Sequence, residues 1–277
     1  MSRRRWAFRV VTALLAAAAV PVATAGAARA AVSGIDLVDT SVTLPANTSY
    51  VVPMACRFPG WTAVSGGWHF LSGSQLSSLA IRQFRPSSSR GWTFTFANTS
   101  SIPQPVILRI TCVRDLVDPV SVTTAQASIP SGTSDAAIAT CPAGTAVLGG
   151  GFSVDGFGHN QIVPLWSVPV TAPQGWLGYF QNNGPATTTT TYAVCGKVTT
   201  HYINIVPASV NAGKEAVLDV GCGQDYLSSG GWQHNLSAYG PLRTALSHTS
   251  RTWRTTVKAP SSSPVHILAH AVCIRLA

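Results

Sequence analysis

The sequence is poor in the charged residues that helical proteins carry on their surfaces. Only 10% of the 277 residues are charged, and the chain has a single glutamate, Glu215, and three lysines, Lys197, Lys214 and Lys258. A water-exposed helix face is normally rich in Glu and Lys, so this scarcity excludes a mainly helical protein. β-Strands joined by turns of Gly, Pro, Ser and Asn need neither residue. Because Thr, Ser, Gly, Val and Ala dominate the middle of the chain, the composition predicts an all-β protein.

The motifs of common catalytic sites are also missing. The chain has no Gly-x-Ser-x-Gly nucleophile elbow and no glycine-rich phosphate loop with a lysine. The nearest approach to an elbow, Phe152-Ser153-Val154, leads to Asp155 where the motif needs glycine. The nine acidic residues include no pair that the sequence marks as the two carboxylates of a glycosidase. We therefore expect no catalytic residues, no cofactor and no enzymatic activity.

Metal and nucleic-acid sites lack their usual signals as well. His266 and His270 share one face of a predicted strand, but no third ligand accompanies them. The arginines are spread along the chain and form no basic stripe. The sequence therefore favours neither a metal site nor a nucleic-acid partner.

The first 30 residues have the pattern of an export signal. Arg3-Arg4-Arg5 is followed by an apolar stretch over residues 10–25, and Ala28-Arg29-Ala30 fits a cleavage site. The apolar stretch is too short and too soon interrupted for a membrane span. Removal of this segment takes away five of the 18 basic residues, which leaves 13 against nine acidic residues and a net charge of +4. We expect a secreted mature chain that begins near Ala31, exported by the general or the twin-arginine route.

Six cysteines divide the rest of the chain into three similar parts. Successive pairs are separated by 56, 54 and 51 residues. Six cysteines allow 15 pairings, but the repetition favours pairing within each part. The predicted disulfides are Cys56–Cys112, Cys141–Cys195 and Cys222–Cys273.

Two further landmarks recur in each part. A double glycine followed by an aromatic residue comes after the first cysteine: Gly66-Gly67-Trp68, Gly150-Gly151-Phe152 and Gly230-Gly231-Trp232. A tryptophan lies 20, 19 and 20 residues before the second cysteine, as Trp92, Trp176 and Trp253. We accordingly divide the chain into a signal peptide (1–30), an N-terminal arm (31–41) and three repeats (42–114, 125–197 and 208–277).

Each repeat is predicted to hold five or six short antiparallel strands. Alternation places Trp92, Phe94 and Phe96 on one face of a strand, and Val106, Leu108, Ile110 and Cys112 on one face of the next. The repeats can form one compact, pseudo-threefold, prism-like assembly or three small sandwiches in a row. The short connectors favour the compact form. The arm at 31–41 is either loose or an added strand.

The loops after the double glycine are the best candidates for a ligand site. Sugar binding combines an aromatic ring, which stacks on the apolar face of the sugar, with polar groups that bind its hydroxyls. Trp61 and Trp166 have no counterpart in the other repeats, so we expect them to be exposed for contact. The competing interpretation makes the aromatic residues core anchors and the polar residues ordinary turns. The candidate binding residues are Trp61, His69, Asp155, His159, Asn160, Trp166, His234, Asn235 and Tyr239.

The middle repeat resembles a known sequence pattern. Its segments Cys141-Pro142-Ala143-Gly144, Gly149-Gly150-Gly151-Phe152, Gly175-Trp176 and Tyr192-Ala193-Val194-Cys195 resemble tandem repeats of uncharacterised exported actinobacterial proteins. Similar pieces occur in phage tail-fibre-like surface proteins. The first repeat departs from the pattern at Arg57-Phe58-Pro59, and the third keeps only the spacing. The resemblance implies an exported, disulfide-bonded, non-catalytic protein and supplies no functional residues.

One function and two alternatives follow from these observations. We expect a secreted, lectin-like, non-catalytic binding protein that recognises glycan or cell-surface material through its repeat loops. The first alternative is a subunit or adaptor of an extracellular protein assembly, which would use residues 31–41 for strand addition. The second is a structural coat or matrix component. A hydrolase has the least support.

Overall fold

The described part of the chain consists of β-strands joined by short turns. The computed structural model describes residues 34–70, 78–114, 116, 118–155, 161–235, 251–259 and 261–275, together with the backbone of 242–246. These residues form 18 strands and no α-helix, which confirms the all-β prediction. None of them belongs to a helix that is long and apolar enough to cross a membrane. The predicted signal peptide at 1–30 lies outside the described residues.

Each third of the chain contributes six strands. The first third contains Ile35–Leu44 (β1), Thr48–Ala55 (β2), Thr62–Phe70 (β3), Leu79–Ser88 (β4), Gly91–Asn98 (β5) and Gln104–Val113 (β6). The second contains Ser121–Ile129 (β7), Ser134–Thr140 (β8), Ala146–Val154 (β9), Ile162–Thr171 (β10), Gln174–Asn182 (β11) and Thr187–Gly196 (β12). The third contains Thr200–Val210 (β13), Glu215–Gly221 (β14), Tyr226–His234 (β15), Leu242–Leu246 (β16), Thr252–Lys258 (β17) and Val265–Arg275 (β18).

The strands of each third pair in the same order. The first, sixth and third strands form one antiparallel group: β1-β6-β3, β7-β12-β9 and β13-β18-β15. The second, fifth and fourth strands form another: β2-β5-β4, β8-β11-β10 and β14-β17-β16. A disulfide joins the residue after the second strand to a residue of the sixth strand in each third. These disulfides are Cys56–Cys112, Cys141–Cys195 and Cys222–Cys273, the pairing that the repeats predict.

Sheets run from one third of the chain into the next. Strand β4 pairs with β9, which gives the six-stranded sheet I, in the order β2-β5-β4-β9-β12-β7. Strand β10 pairs with β15, which gives sheet II, in the order β13-β18-β15-β10-β11-β8. At the remaining junction β16 lies beside β3. The described residues from 34 to 275 therefore form one compact unit, and the alternative of three sandwiches in a row is wrong.

The three aromatic residues that follow the double glycines meet in the core. The Trp68 and Trp232 rings lie edge to face with their centroids 5.4 Å apart, and Phe152 lies 6.4 Å from Trp232. All three side chains are buried. They join the thirds of the chain to one another, so the interpretation of these residues as core anchors is the one that the structure supports.

The double glycines allow two close approaches. A Cβ atom on Gly150 would overlap the Trp176 ring, and one on Gly230 would overlap Trp253. A Cβ atom on Gly151 would overlap the carbonyl oxygen of Phe84 in the neighbouring third. The first glycine of the pair therefore makes room for the tryptophan of its own third, and the second for the strand that arrives from the previous third.

The predicted repeat boundaries need correction at the first strand of each third. Strand β1 pairs with β6 from Ile35 to Leu44, so the described residues of the predicted arm form an added strand, the second of the two alternatives, and are not loose. Strands β7 and β13 likewise begin at Ser121 and Thr200, within the segments 115–124 and 198–207 that lie between the predicted repeats. These edge strands alternate half-buried and exposed side chains, which is a weaker hydrophobic signal than the buried central strands give.

Candidate functional site

The second face of sheet II, opposite its buried core, carries a groove. Strand β18 shows the alternation: Ile267 is buried against the Trp253 core, whereas His266 and Leu268 on either side of it point to the second face. The groove has a volume of about 600 Å³. Four adjacent strands of sheet II (β13, β18, β15 and β10) line it with Pro207, Ala208, Ser209, His266, Ile267, Leu268, Gln233, His234, Asn235 and Trp166.

Cross-strand pairing arranges the floor of the groove in two rows. The first row is mainly apolar and runs across the sheet through Pro207, Leu268, Gln233 and Trp166, and Tyr179 extends it beyond the groove. The second row is polar and consists of Ser209, His266 and Asn235. Residues two apart on a strand are about 7 Å apart, so the two rows run side by side at that distance.

A bulge in β10 turns Trp166 towards the groove. Pro164 pairs with Phe180 and Trp166 pairs with Tyr179, so Leu165 is an extra residue on its strand. In a regular strand without this bulge, Trp166 would lie on the same face as Pro164, which is the core face. Bulges re-aim side chains in this way beside functional sites. The same bulge occurs in β4, where it places Gln83 at the equivalent position on sheet I.

Two contacts fix the Trp166 ring. Its Nε1 atom donates a hydrogen bond of 3.1 Å to the carbonyl oxygen of His234, and its centroid lies 4.9 Å from that of Tyr179. The side chain is half-buried, and the six other tryptophans among the described residues are buried. Trp166 therefore presents the one partly exposed indole in the described part of the chain, held in a defined orientation.

The polar row is ordered by hydrogen bonds between its members. Ser209 Oγ lies 2.8 Å from His266 Nδ1, and the His266 backbone N–H donates to Asn235 Oδ1 at 3.0 Å. All three side chains are exposed. These bonds leave His266 Nε2 and the Asn235 amide nitrogen pointing away from their protein partners, where a ligand hydroxyl can reach them.

Two buried histidines stand beside the groove and are held neutral. Burial lowers the pKa of His234 to about 4, although a hydrogen bond to the backbone of Pro164 acts in the opposite direction. Burial also lowers the pKa of His270 to about 4, and neither of its ring nitrogens has a hydrogen-bond partner. At neutral pH neither imidazole carries a positive charge.

The Ser209–His266 pair has the distance of a nucleophile and its base, but the rest of a catalytic site is not beside it. A serine hydrolase needs a third group to orient the histidine and donors for an oxyanion. Among the described residues no carboxylate contacts His266, and no three His, Cys, Asp or Glu side chains are grouped as metal ligands. The described residues around His266 thus complete neither a serine-hydrolase triad nor a metal site.

The structure brings together three of the predicted binding residues, Trp166, His234 and Asn235. His69 lies in β3 and Asp155 follows β9, so both belong to other sheets. Predicted residues His159, Asn160 and Tyr239 lie outside the described residues.

The expectation that Trp61 is exposed is wrong. Only 6% of its surface is accessible, because Phe58 packs against it at 6.2 Å and the Arg114 guanidinium lies over its ring at 5.4 Å. The exposed aromatic side chain of this turn is Phe58, at 51%.

Sequence reasoning missed the residues that complete the groove. They are Pro207, Ser209, Gln233, His266 and Leu268, together with Tyr179 behind Trp166. His266 and Leu268 could have been predicted to share the face opposite the core, since they alternate along the last strand with the buried residues Val265, Ile267 and Ala269.

Comparison with known proteins adds no relative from which function can be carried over. No protein-family model matches the chain, and no curated protein is significantly similar to it in sequence.

Proposed function

We propose that this protein is an exported, non-catalytic binding protein that holds glycan in the groove around Trp166. The observation that carries the proposal is the pairing of an aromatic, apolar row with a parallel polar row. A pyranose ring has apolar C–H faces and hydroxyls at its edge, so a ring on Trp166 would direct hydroxyls towards His266 and Asn235.

The second face of sheet I lacks the features that make sheet II a candidate glycan site. Gln83 stands where sheet II has Trp166, and its neighbours across the sheet are Thr95 and Ser153. These side chains bond to protein groups; for example, the Thr95 hydroxyl donates a hydrogen bond of 3.2 Å to Gln83 Oε1. Arg85 covers the Tyr192 ring on the same face. Sheet I thus offers a polar surface without an accessible indole.

Three disulfides support an extracellular location, because such bonds persist in oxidising compartments. The alternative of an adaptor that donates residues 31–41 loses its donor segment, since β1 is paired along its length with β6. Among the functions considered, glycan binding therefore keeps the most direct structural support.

Retention of the purified chain on insoluble polysaccharides tests the proposal. We expect saturable retention that falls at least about tenfold in Trp166→Ala, since loss of a central aromatic contact costs more than about 1.4 kcal/mol. Gln83→Ala, at the equivalent position on sheet I, is the matched control and should bind like the original chain. Equal loss in both variants, or retention on no polysaccharide, would refute the proposal.

A further inference from the structure

The strands of sheet II are almost free of charged side chains. Apart from histidine, its six strands contain only Asp135, in the edge strand β8, and Arg275, at the end of β18. Arg275 forms an ion pair with Asp225 at 2.7 Å. Asp135 pairs with Phe180, a core residue, and so belongs to the opposite face from the groove. Among the side chains of these six strands, none of Lys, Arg, Asp or Glu therefore lies on the groove face.

The other sheets differ in this respect. Sheet I carries Arg85 on its second face. The remaining strands carry cross-strand ion pairs between Arg109 and Asp39 in β6 and β1, and between Arg254 and Asp219 in β17 and β14. Since the three thirds share one strand plan, charge is compatible with this fold, and its absence from the groove face distinguishes sheet II.

Absence of charge limits the kind of glycan that the groove can hold. A carboxylate or sulfate on a sugar needs a cation, usually arginine, when it leaves water. Here it would meet Leu268, Trp166 and the hydroxyl and amide groups of the polar row, and it would lose hydration without an ionic partner. A neutral sugar suffers no such loss.

The dimensions of the groove favour a chain over a single sugar ring. Within the groove the apolar row crosses four strands, from Pro207 in β13 to Trp166 in β10. Neighbouring strands are about 4.8 Å apart, so this part of the row is about 14 Å long. Several linked rings can lie along it, with their faces on the apolar row and their edges towards Ser209, His266 and Asn235.

From these observations we infer that the ligand is a neutral polysaccharide that lies across the strands of sheet II. This inference rests on the proposed function and names its substrate class. It excludes uronic, sulfated and phosphorylated glycans as preferred ligands.

Matched polymers that differ only in charge test the inference. Affinity gel electrophoresis would compare neutral cellulose, dextran, starch and chitin derivatives with the carboxymethylated form of each backbone, at low and high salt. We expect at least one backbone to retard the chain about tenfold more strongly in its neutral form, with little effect of salt. Gln233→Lys, which places a cation in the middle of the row, should reduce or reverse that preference.

The outcomes separate the two proposals. Preference for the carboxymethylated polymers, dependent on Trp166 and weakened by salt, overturns the neutral-ligand inference and leaves glycan binding in place. If no polymer retards the chain, both proposals are overturned. Both are also overturned if Trp166→Ala and Gln83→Ala are each retarded as strongly as the original chain.

Discussion

At the scale of the residue, the most constrained positions are glycines that make room for tryptophans. We expect Gly150→Ala to lower the free energy of unfolding by about 3 kcal/mol, because its methyl group would overlap the buried Trp176 ring. Gly221→Ala is the matched control, since a Cβ atom there meets open space. Denaturant unfolding monitored by circular dichroism measures both. Similar stability of the two variants would show that the packing around Trp176 is loose.

Burial of His234 and His270 predicts loss of stability in mild acid. Both have a folded-state pKa of about 4, below the ordinary value near 6.5, so the unfolded chain takes up protons at higher pH than the folded one. Their contribution is fully present above pH 6.5 and is lost as the pH falls towards 4. Each histidine accounts for on the order of 3 kcal/mol over that range.

The variant His270→Leu separates the contributions of the two histidines to the loss of stability in acid. Because neither ring nitrogen of His270 has a partner, an apolar replacement should leave stability at neutral pH equal or higher. It should also reduce the loss between pH 6.5 and pH 4 by about half. Unfolding measured across that pH range would contradict this account if the variant lost as much stability as the original chain.

At the scale of the element, a buried asparagine ties the end of the fifth strand to two turns. Asn182 Nδ2 donates to the carbonyl oxygens of Ile129 and Pro185, at 2.9 and 2.7 Å. Asn98 makes the corresponding bonds to Leu44 and Ile102. Ala259 follows the fifth strand of the last third, six residues after Trp253, and cannot make them. The first two thirds are thus fixed at this corner by asparagine bonds that Ala259 cannot make at the equivalent position of the last third.

We expect Asn182→Ala to cost about 2 to 3 kcal/mol, because it leaves several buried carbonyl groups without their donor. Asn183→Ala, at an exposed neighbouring position, should change stability by less than about 0.5 kcal/mol. Denaturant titration of both variants measures the difference. An equally mild effect in both would mean that water replaces the amide at no cost.

The sequence was sufficient for several elements of this fold and insufficient for others. Cysteine spacing predicted the disulfides, and alternation predicted the buried faces of β5 and β6, where Trp92, Phe94 and Leu108 are fully buried. Both signals are local or repeated. Strand β1 was harder to recognise, since an edge strand buries little apolar surface.

Most of the groove could not be predicted because it depends on pairing between distant segments. Ser209 and His266 are 57 residues apart, and Trp166 reaches the groove across the junction between two repeats. The bulge at Leu165 also defeats simple alternation, which would place Trp166 on the core face with Pro164. The lack of a counterpart in the other repeats distinguishes Trp166 in the sequence, but alternation does not predict the face on which it lies.

At the scale of the whole molecule, the thirds of the chain complete one another's sheets. Removal of the last third would leave β10 as an unpaired edge and would expose Phe152 where it packs on Trp232. A chain that ends at residue 198 should therefore show no cooperative unfolding transition, even with its two remaining disulfides. Calorimetry of the truncated chain beside the complete one tests this. A sharp transition of its own would show that the first two thirds are stable without the third.

Ligand contact at Trp166 can be observed directly by fluorescence. The other six tryptophans among the described residues are buried, so in the chain without residues 1–30, which also lacks Trp6, acrylamide should quench mainly Trp166. Titration with neutral cello-, chito-, malto- and manno-oligosaccharides should reveal one series that shields this indole from acrylamide, an effect that Trp166→Phe abolishes and Gln83→Ala leaves intact. Unchanged quenching with every series, or shielding that persists in Trp166→Phe, would contradict the assignment of this groove as the binding site.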